Sequence, residues 1–237
     1  VIDMKQGCLS MLHILEQLPK EVNEKLNIMA IFNPDEEVGS RWSMPILSRY
    51  AAICDKIFVF EAGGNNHEVT IERKGSTALS VTIYGRAGHA GYMFTNNALS
   101  AVTEAVHWIN TLNQFHSQET DTTVNVGIFQ ASEKRNIVAE SATVGWDIRT
   151  SNLEIKAQVE QCIDQLISHA ESLGYRVVVS ERKGKPPLVP TEKTWAYVER
   201  MKAVAARIGH PFGLKKRGGI SDANHMAAFG AVCVDSL

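Results

Sequence analysis

The stretch Asn33-Pro34-Asp35-Glu36-Glu37-Val38-Gly39-Ser40 places two adjacent glutamates directly after an apolar run, Leu26 to Phe32. The run reads as a buried strand, so the pair stands on the turn that leaves it. Neighbouring carboxylates repel each other and have no apolar surface to cover, which makes them poor structural residues. A cation suits them better. One carboxylate binds it while its neighbour, pointing elsewhere, handles the proton of a water activated there. Taken alone, the pair also fits an ordinary solvated turn. Two further acids shift the balance. Glu61 follows the apolar segment Lys56 to Phe60, and Asp3 opens a helix straight after Val1-Ile2, read as the end of a strand. Asp3 by itself is equally a helix cap. Strand ends of an open α/β sheet gather at one edge, so the four acids converge there. Without a cation, such a cluster repels itself.

The elements that must position these acids alternate along the first 65 residues. Met4 to Leu18 carries apolar residues at helical spacing, Leu26 to Phe32 is an expected strand, and Pro45 to Ala52 is an expected helix. Lys56 to Phe60 is the next strand. Short apolar strands between helices predict a parallel α/β sheet covered on both faces. The pattern changes after Asn65. Thr77–Tyr84, Thr122–Gln130, Ala142–Arg149 and Tyr175–Ser180 read as strands, with helices at Asn97–Leu112 and Leu153–Leu173. That order, β-α-β-β-α-β, is the ferredoxin-like pattern. From Lys185-Pro186-Pro187 the α/β style resumes, with a helix over Glu192–Ile208, another from about Ser221, and a strand at Ala231–Val234. The expected organisation is an α/β domain in two parts, 1–72 and 184–237, interrupted by a ferredoxin-like domain at 73–183.

Composition narrows the function classes. A chain of 237 residues with net charge -2 offers no basic surface for nucleic acid or an anionic membrane. Its apolar runs are far shorter than the roughly 20 residues a membrane helix needs. Cys8, Cys54, Cys162 and Cys233 show no Cys-x-x-Cys spacing and read as buried free thiols, which favours a reducing, cytoplasmic setting. Gly218 and Gly219 belong to no phosphate-binding pattern that follows a strand. His225 lies close to Asp222, but no motif makes it a ligand.

Four segments together resemble the motifs of the co-catalytic zinc peptidases that include glutamate carboxypeptidase, acetylornithine deacetylase and succinyl-diaminopimelate desuccinylase. They are Asp3-Met4-Lys5-Gln6-Gly7, Asn33 to Ser40, Gly85-Arg86-Ala87-Gly88-His89-Ala90-Gly91 and Gly218-Gly219-Ile220-Ser221-Asp222-Ala223. The resemblance implies a phosphorylase/hydrolase-like α/β domain with the ferredoxin-like insert acting as lid and dimerisation domain. It implies two Zn2+ ions, with Co2+ or Mn2+ as alternatives. Asp3 would bridge the ions, Glu37 would bind one and Glu61 the other, and Glu36 would be the general base. His89 would reach across a lid-lid homodimer to stabilise the oxyanion. Asn136 and Arg149 would hold substrate, and Gly218 and Gly219 would let backbone lie close to it.

The implied reaction is hydrolysis of an amide next to a free carboxylate, in a small peptide or an N-acyl amino acid. A glutamate carboxypeptidase is the favoured branch, with an N-acyl amino acid deacylase or a non-catalytic dimerising relative as alternatives. Two departures stand out. Gln6 stands where the motif has its first glycine, a mild change with little mechanistic consequence. The family's two histidine ligands fall outside the matched motifs, so the chain reads as an internal fragment that would be inactive alone.

Overall fold

The computed structural model describes residues 2–132 and 134–237, apart from the side chains of Ile2 and Asp3. The chain divides into two compact units, one formed by residues 1–73 with 188–237 and one by residues 74–187. Each is built around its own sheet.

In the inserted unit, strand β3 (Gly75–Tyr84) leads to helix α4 (Ala101–Asn113), strands β4 (Thr122–Ala131) and β5 (Ser141–Thr150), helix α5 (Leu153–Ser172) and strand β6 (Arg176–Lys183). The four strands pair in the order β4-β5-β3-β6, antiparallel throughout. The two β-α-β halves therefore interlock, as the alternating sequence requires. Residues of β3 alternate between buried and half-buried, so one face of the sheet meets both helices. Leu79, Val81 and Ile83 pack there against Trp108 and Leu112 of α4 and Val159 and Ile163 of α5. The helices are capped by side chains. Ser100 accepts from the Thr103 amide, and Asn152 accepts from the amides of Glu154 and Ile155. Buried Trp108 donates its indole N–H to Glu104 at 2.9 Å, which settles the one charged group on that face of α4.

The split unit carries β1 (Lys56–Val59), β2 (Glu68–Arg73), β7 (Gly213–Arg217) and β8 (Val232–Asp235), in the sheet order β1-β8-β2-β7. Its helices are α1 (Gly7–Gln17), α2 (Lys20–Asn23), α3 (Met44–Ala51), α6 (Glu192–Arg207) and α7 (Asp222–Met226). β1 runs parallel to β8 and β2 parallel to β7, while β2 meets β8 antiparallel through Thr70 and Asp235. The sheet is therefore mixed, not all-parallel as the sequence suggests. β2, whose Val69 and Ile71 alternate with polar residues, is a further strand beyond those expected, and β7 is one that the hydrophobic pattern does not announce. Arg73 and Leu188, the last and first residues of the two segments, exchange hydrogen bonds of 3.1 Å in both directions.

Three expectations fail here. Leu26 to Phe32 is no strand: it has no ladder partner among the described residues, and Leu26, Ile28, Met29 and Phe32 are 44–53 % exposed. An apolar run becomes a strand only by pairing, and periodicity does not report on the partner. Ile2 does not end a strand either, since Ile2–Gln6 is a π-helical turn running into α1; Val1 lies outside the described residues. Of the four cysteines, only Cys233 is buried, the others being half-buried.

Candidate functional site

In the split unit, the chain from Asn33 to Ser40 forms a tight turn rather than a strand exit. Glu36–Val38 is a single 3-10 turn, closed by the Gly39 amide donating to the Glu36 carbonyl at 2.8 Å. At roughly three residues per turn, Glu36 and Glu37 leave the backbone about 120° apart. Glu36 is half-buried and Glu37 is exposed. The backbone of the turn therefore sets the two side chains off in different directions at Cβ.

Buried Asp35 anchors the turn from below. Its carboxylate accepts from the Trp42 amide at 2.8 Å, the Ser43 amide at 3.2 Å and the Ser43 hydroxyl. The Ser43 hydrogen bond, with help from the two amides, holds the Asp35 carboxyl below its usual range. A depressed folded-state value contributes stability that is complete above the ordinary aspartate range. It disappears as pH falls through the lower folded value. Ser43→Ala should therefore move the acid-induced loss of order in this turn to higher pH, measured by hydrogen exchange at residues 38–40 across a pH series.

Glu61 lies two residues past β1 and is half-buried. Gly7 makes the approach of α1 to this strand exit possible, because a Cβ there would stand 2.2 Å from the Phe60 carbonyl oxygen. Asp3 lies in the preceding helical turn, Ile2–Gln6, but its side chain lies outside the described residues. Among the described residues, no three His, Cys, Asp or Glu side chains come close enough to share a metal ion. The donor chemistry fits a divalent cation, since Glu37 and Glu61 are carboxylates at a loop and a strand end. The described donors alone do not complete its coordination.

Gly218 and Gly219 follow β7. A Cβ at either would meet no protein atom within 4 Å, so packing does not require glycine at these positions. The segment beyond them is held by a buried polar network. Arg73 donates from Nε to Asp235 at 2.6 Å, from Nη1 to the Gly219 carbonyl at 3.1 Å and from Nη2 to the Ser236 hydroxyl at 3.3 Å. Ser221 donates to the same Asp235 oxygen at 2.6 Å and caps α7 through a reciprocal pair with Asn224. Asp222 then takes Asn33 Nδ2 at 2.8 Å and the Ser40 hydroxyl. Arg73, Asp235, Asn33 and Ser40 were not visible as site residues in the sequence.

In the inserted unit, His89 and Asn136 come from distant segments and lie side by side. The Ala90 amide donates to the Asn136 carbonyl at 3.0 Å, the Val138 amide donates to the Gly88 carbonyl at 2.8 Å, and His89 bridges Ile137. The His89 ring accepts the Gly91 amide at Nδ1, at 3.1 Å. In the neutral ring the proton is then on Nε2, which becomes a donor. Its side chain is exposed, with Tyr92 beside it at 5.4 Å between ring centres. Arg149, near the end of β5, is engaged by Asp147 two residues earlier, with Nε and Nη2 within 3.0–3.2 Å of the carboxylate. His225, set aside in the sequence, pairs with Ser48 at 2.8 Å.

Comparison with known proteins gives these features a context. Residues 71–175 match the family model described as a peptidase dimerisation domain. The whole chain is similar to carboxypeptidase G2 of Pseudomonas sp. (strain RS-16), at 25% identity over 240 residues. A stretch of 100 residues, 40% of the chain and 26% of the relative, is 30% identical to N-acetyldiaminopimelate deacetylase of Halalkalibacterium halodurans. Among solved structures, aminopeptidase PepT from Bacillus cereus aligns with a TM-score of 0.65 and 25% identity, over 85% of this chain and 53% of that one. The match to carboxypeptidase G2 takes in 100% of this chain but 58% of the relative, so the chain spans little more than half the length of such proteins. No helix among the described residues is long and apolar enough to cross a membrane.

Proposed function

From a chain that is a relative of the co-catalytic zinc peptidases and carries a peptidase dimerisation domain at residues 71–175, we propose part of a dinuclear zinc hydrolase. Its reaction is cleavage of an amide bond next to a free carboxylate, most like that of a glutamate carboxypeptidase. The observation that carries this reading is the 3-10 turn Glu36–Val38, whose roughly three residues per turn set Glu36 and Glu37 off about 120° apart at the backbone. Glu37 and Glu61, with Asp3, would hold the metal. Zinc, when bound, supplies Lewis acidity toward the scissile carbonyl and lowers the pKa of a water. Glu36 takes the proton of the attacking water and passes it to the leaving amine.

His89, with its proton on Nε2, has the right tautomer to donate to a developing oxyanion. Asn136, held beside it, is supported as its companion in binding substrate. In the proposed homodimer these two residues serve the partner's site. Exposed Ile128 and Phe129 on β4, and Val178 and Val179 on β6, give the inserted unit apolar strand surface for such a pairing. Gly218 and Gly219, which packing does not demand, leave room for substrate backbone. Arg149 would grip the carboxylate once the ligand competes with Asp147 for its guanidinium.

The similarity to N-acetyldiaminopimelate deacetylase favours N-acyl amino acids as a second substrate class for the same chemistry. The test is hydrolysis of an N-acyl glutamate beside its α-methyl ester, by the full-length protein with zinc. The free acid should react at least about 100-fold faster, because a bidentate carboxylate contact of roughly 3 kcal/mol is lost in the ester. Equal rates would remove the carboxylate from the proposed substrate class.

A further inference from the structure

We propose that Asp222 is the positioning residue of the glutamate turn, a single buried carboxylate that clasps the turn at both ends. The inference rests on the reading of Glu36 and Glu37 as the reacting pair, and it adds what holds them. Asn33 and Ser40 stand at the two ends of the turn, and both donate to Asp222, one to each carboxylate oxygen. Asp222 and Ser40 are 5% and 0% exposed, so neither group has water to turn to. Each oxygen of the Asp222 carboxylate thus takes one donor from the turn.

The backbone makes the same case. Ser40 has φ of 54°, in the left-handed region where a residue with a Cβ is strained. Glycine would be the easier residue there, and Gly39 immediately before it takes the same region at 88°. Serine at 40 supplies what glycine lacks, a hydroxyl that reaches Asp222, while its backbone amide closes onto the Asp35 carbonyl at 2.7 Å as any residue's would. A strained residue persists where its surroundings over-determine it.

Asp222 is itself held in place from the other side. It is the first residue of α7, next to Ser221, whose hydroxyl meets Asp235, which in turn is paired with Arg73. A continuous buried relay thus runs from Arg73, at the end of β2, to the turn carrying Glu36 and Glu37. The relay ties that turn and the Gly218–Gly219 segment to one anchor, because Arg73 also donates to the Gly219 carbonyl. Positioning a base to within an ångström is worth about two orders of magnitude in rate.

An exchange of partners tests this. In the full-length protein, Asn33→Asp alone sets two carboxylates against each other, and Asp222→Asn alone replaces the shared acceptor. The double variant N33D/D222N rebuilds the contact with its direction reversed, the new amide donating to residue 33 and its oxygen still accepting from Ser40. Hydrogen exchange at the Gly39 and Ser40 amides gives a readout independent of metal and activity. Each single variant should speed it about tenfold or more, with the β8 amides as the control for intact folding. The double variant should return it to within about threefold of wild type, with kcat/KM following the same order. Ser40→Ala, which leaves the charge untouched, should also speed exchange. Unchanged exchange in the single variants, or a double variant no better than the worse single, would overturn the proposal. If exchange follows the cycle but wild type hydrolyses no amide, the hydrolase reading fails and the clasp stands.

Discussion

Glu36→Gln should lower kcat by about 10³-fold or more while leaving bound zinc unchanged. Glutamine keeps the length and shape of the side chain, so the 3-10 turn and its clasp remain. What it cannot do is accept a proton. Glu37→Gln should behave in the opposite way, with metal content falling first and activity falling with it. The contrast follows from the turn itself, since adjacent residues about 120° apart cannot present both carboxylates to one ion in the same manner. Metal analysis and steady-state kinetics on the two variants, side by side, check it. Equal loss of zinc in both would mean that Glu36 is a ligand, and the assignment of the base would be wrong.

The second large effect is on stability. Arg73 and Asp235 form an ion pair at 2.6 Å with side chains 6% and 0% exposed. A pair so deeply buried gains little net stability over an apolar pair, yet losing one partner leaves a charge without compensation. Arg73→Met should therefore destabilise the split unit by about 3–5 kcal/mol in urea denaturation. It removes the donor to Asp235, the Gly219 carbonyl and Ser236 at once. Arg73→Met with Asp235→Leu should recover about half of that loss, because the stranded carboxylate is gone although Ser221 has lost its acceptor. A single variant as stable as wild type would show that the pair is solvated and does not anchor the network.

These residues also mark where the sequence stops being informative. The inserted unit is legible because its strands alternate and its helices carry their own caps, all local signals. Thr122 to Gln130 and Leu153 to Leu173 fall within a residue or so of β4 and α5. In the split unit, β7 reads Gly-Leu-Lys-Lys-Arg, with hardly an apolar residue, and exists as a strand by backbone pairing with β2. The reverse error, Leu26 to Phe32, is an apolar run without a partner. The glutamate turn shows in the sequence through its odd pair of charges. Its supports do not. Arg73 sits in Glu-Arg-Lys, an ordinary charged strand end, and its partner Asp235 is 162 residues away. Asn33 and Asp222 are separated by 189 positions, and nothing local in either one announces the other.

Metal content of the full-length protein by mass spectrometry, with hydrolysis of a C-terminal glutamate amide before and after chelation, tests the central claim most directly. About two zinc ions per chain are expected, with activity lost on chelation and regained on adding zinc back. A protein that binds no metal and hydrolyses the amide in neither state would contradict it.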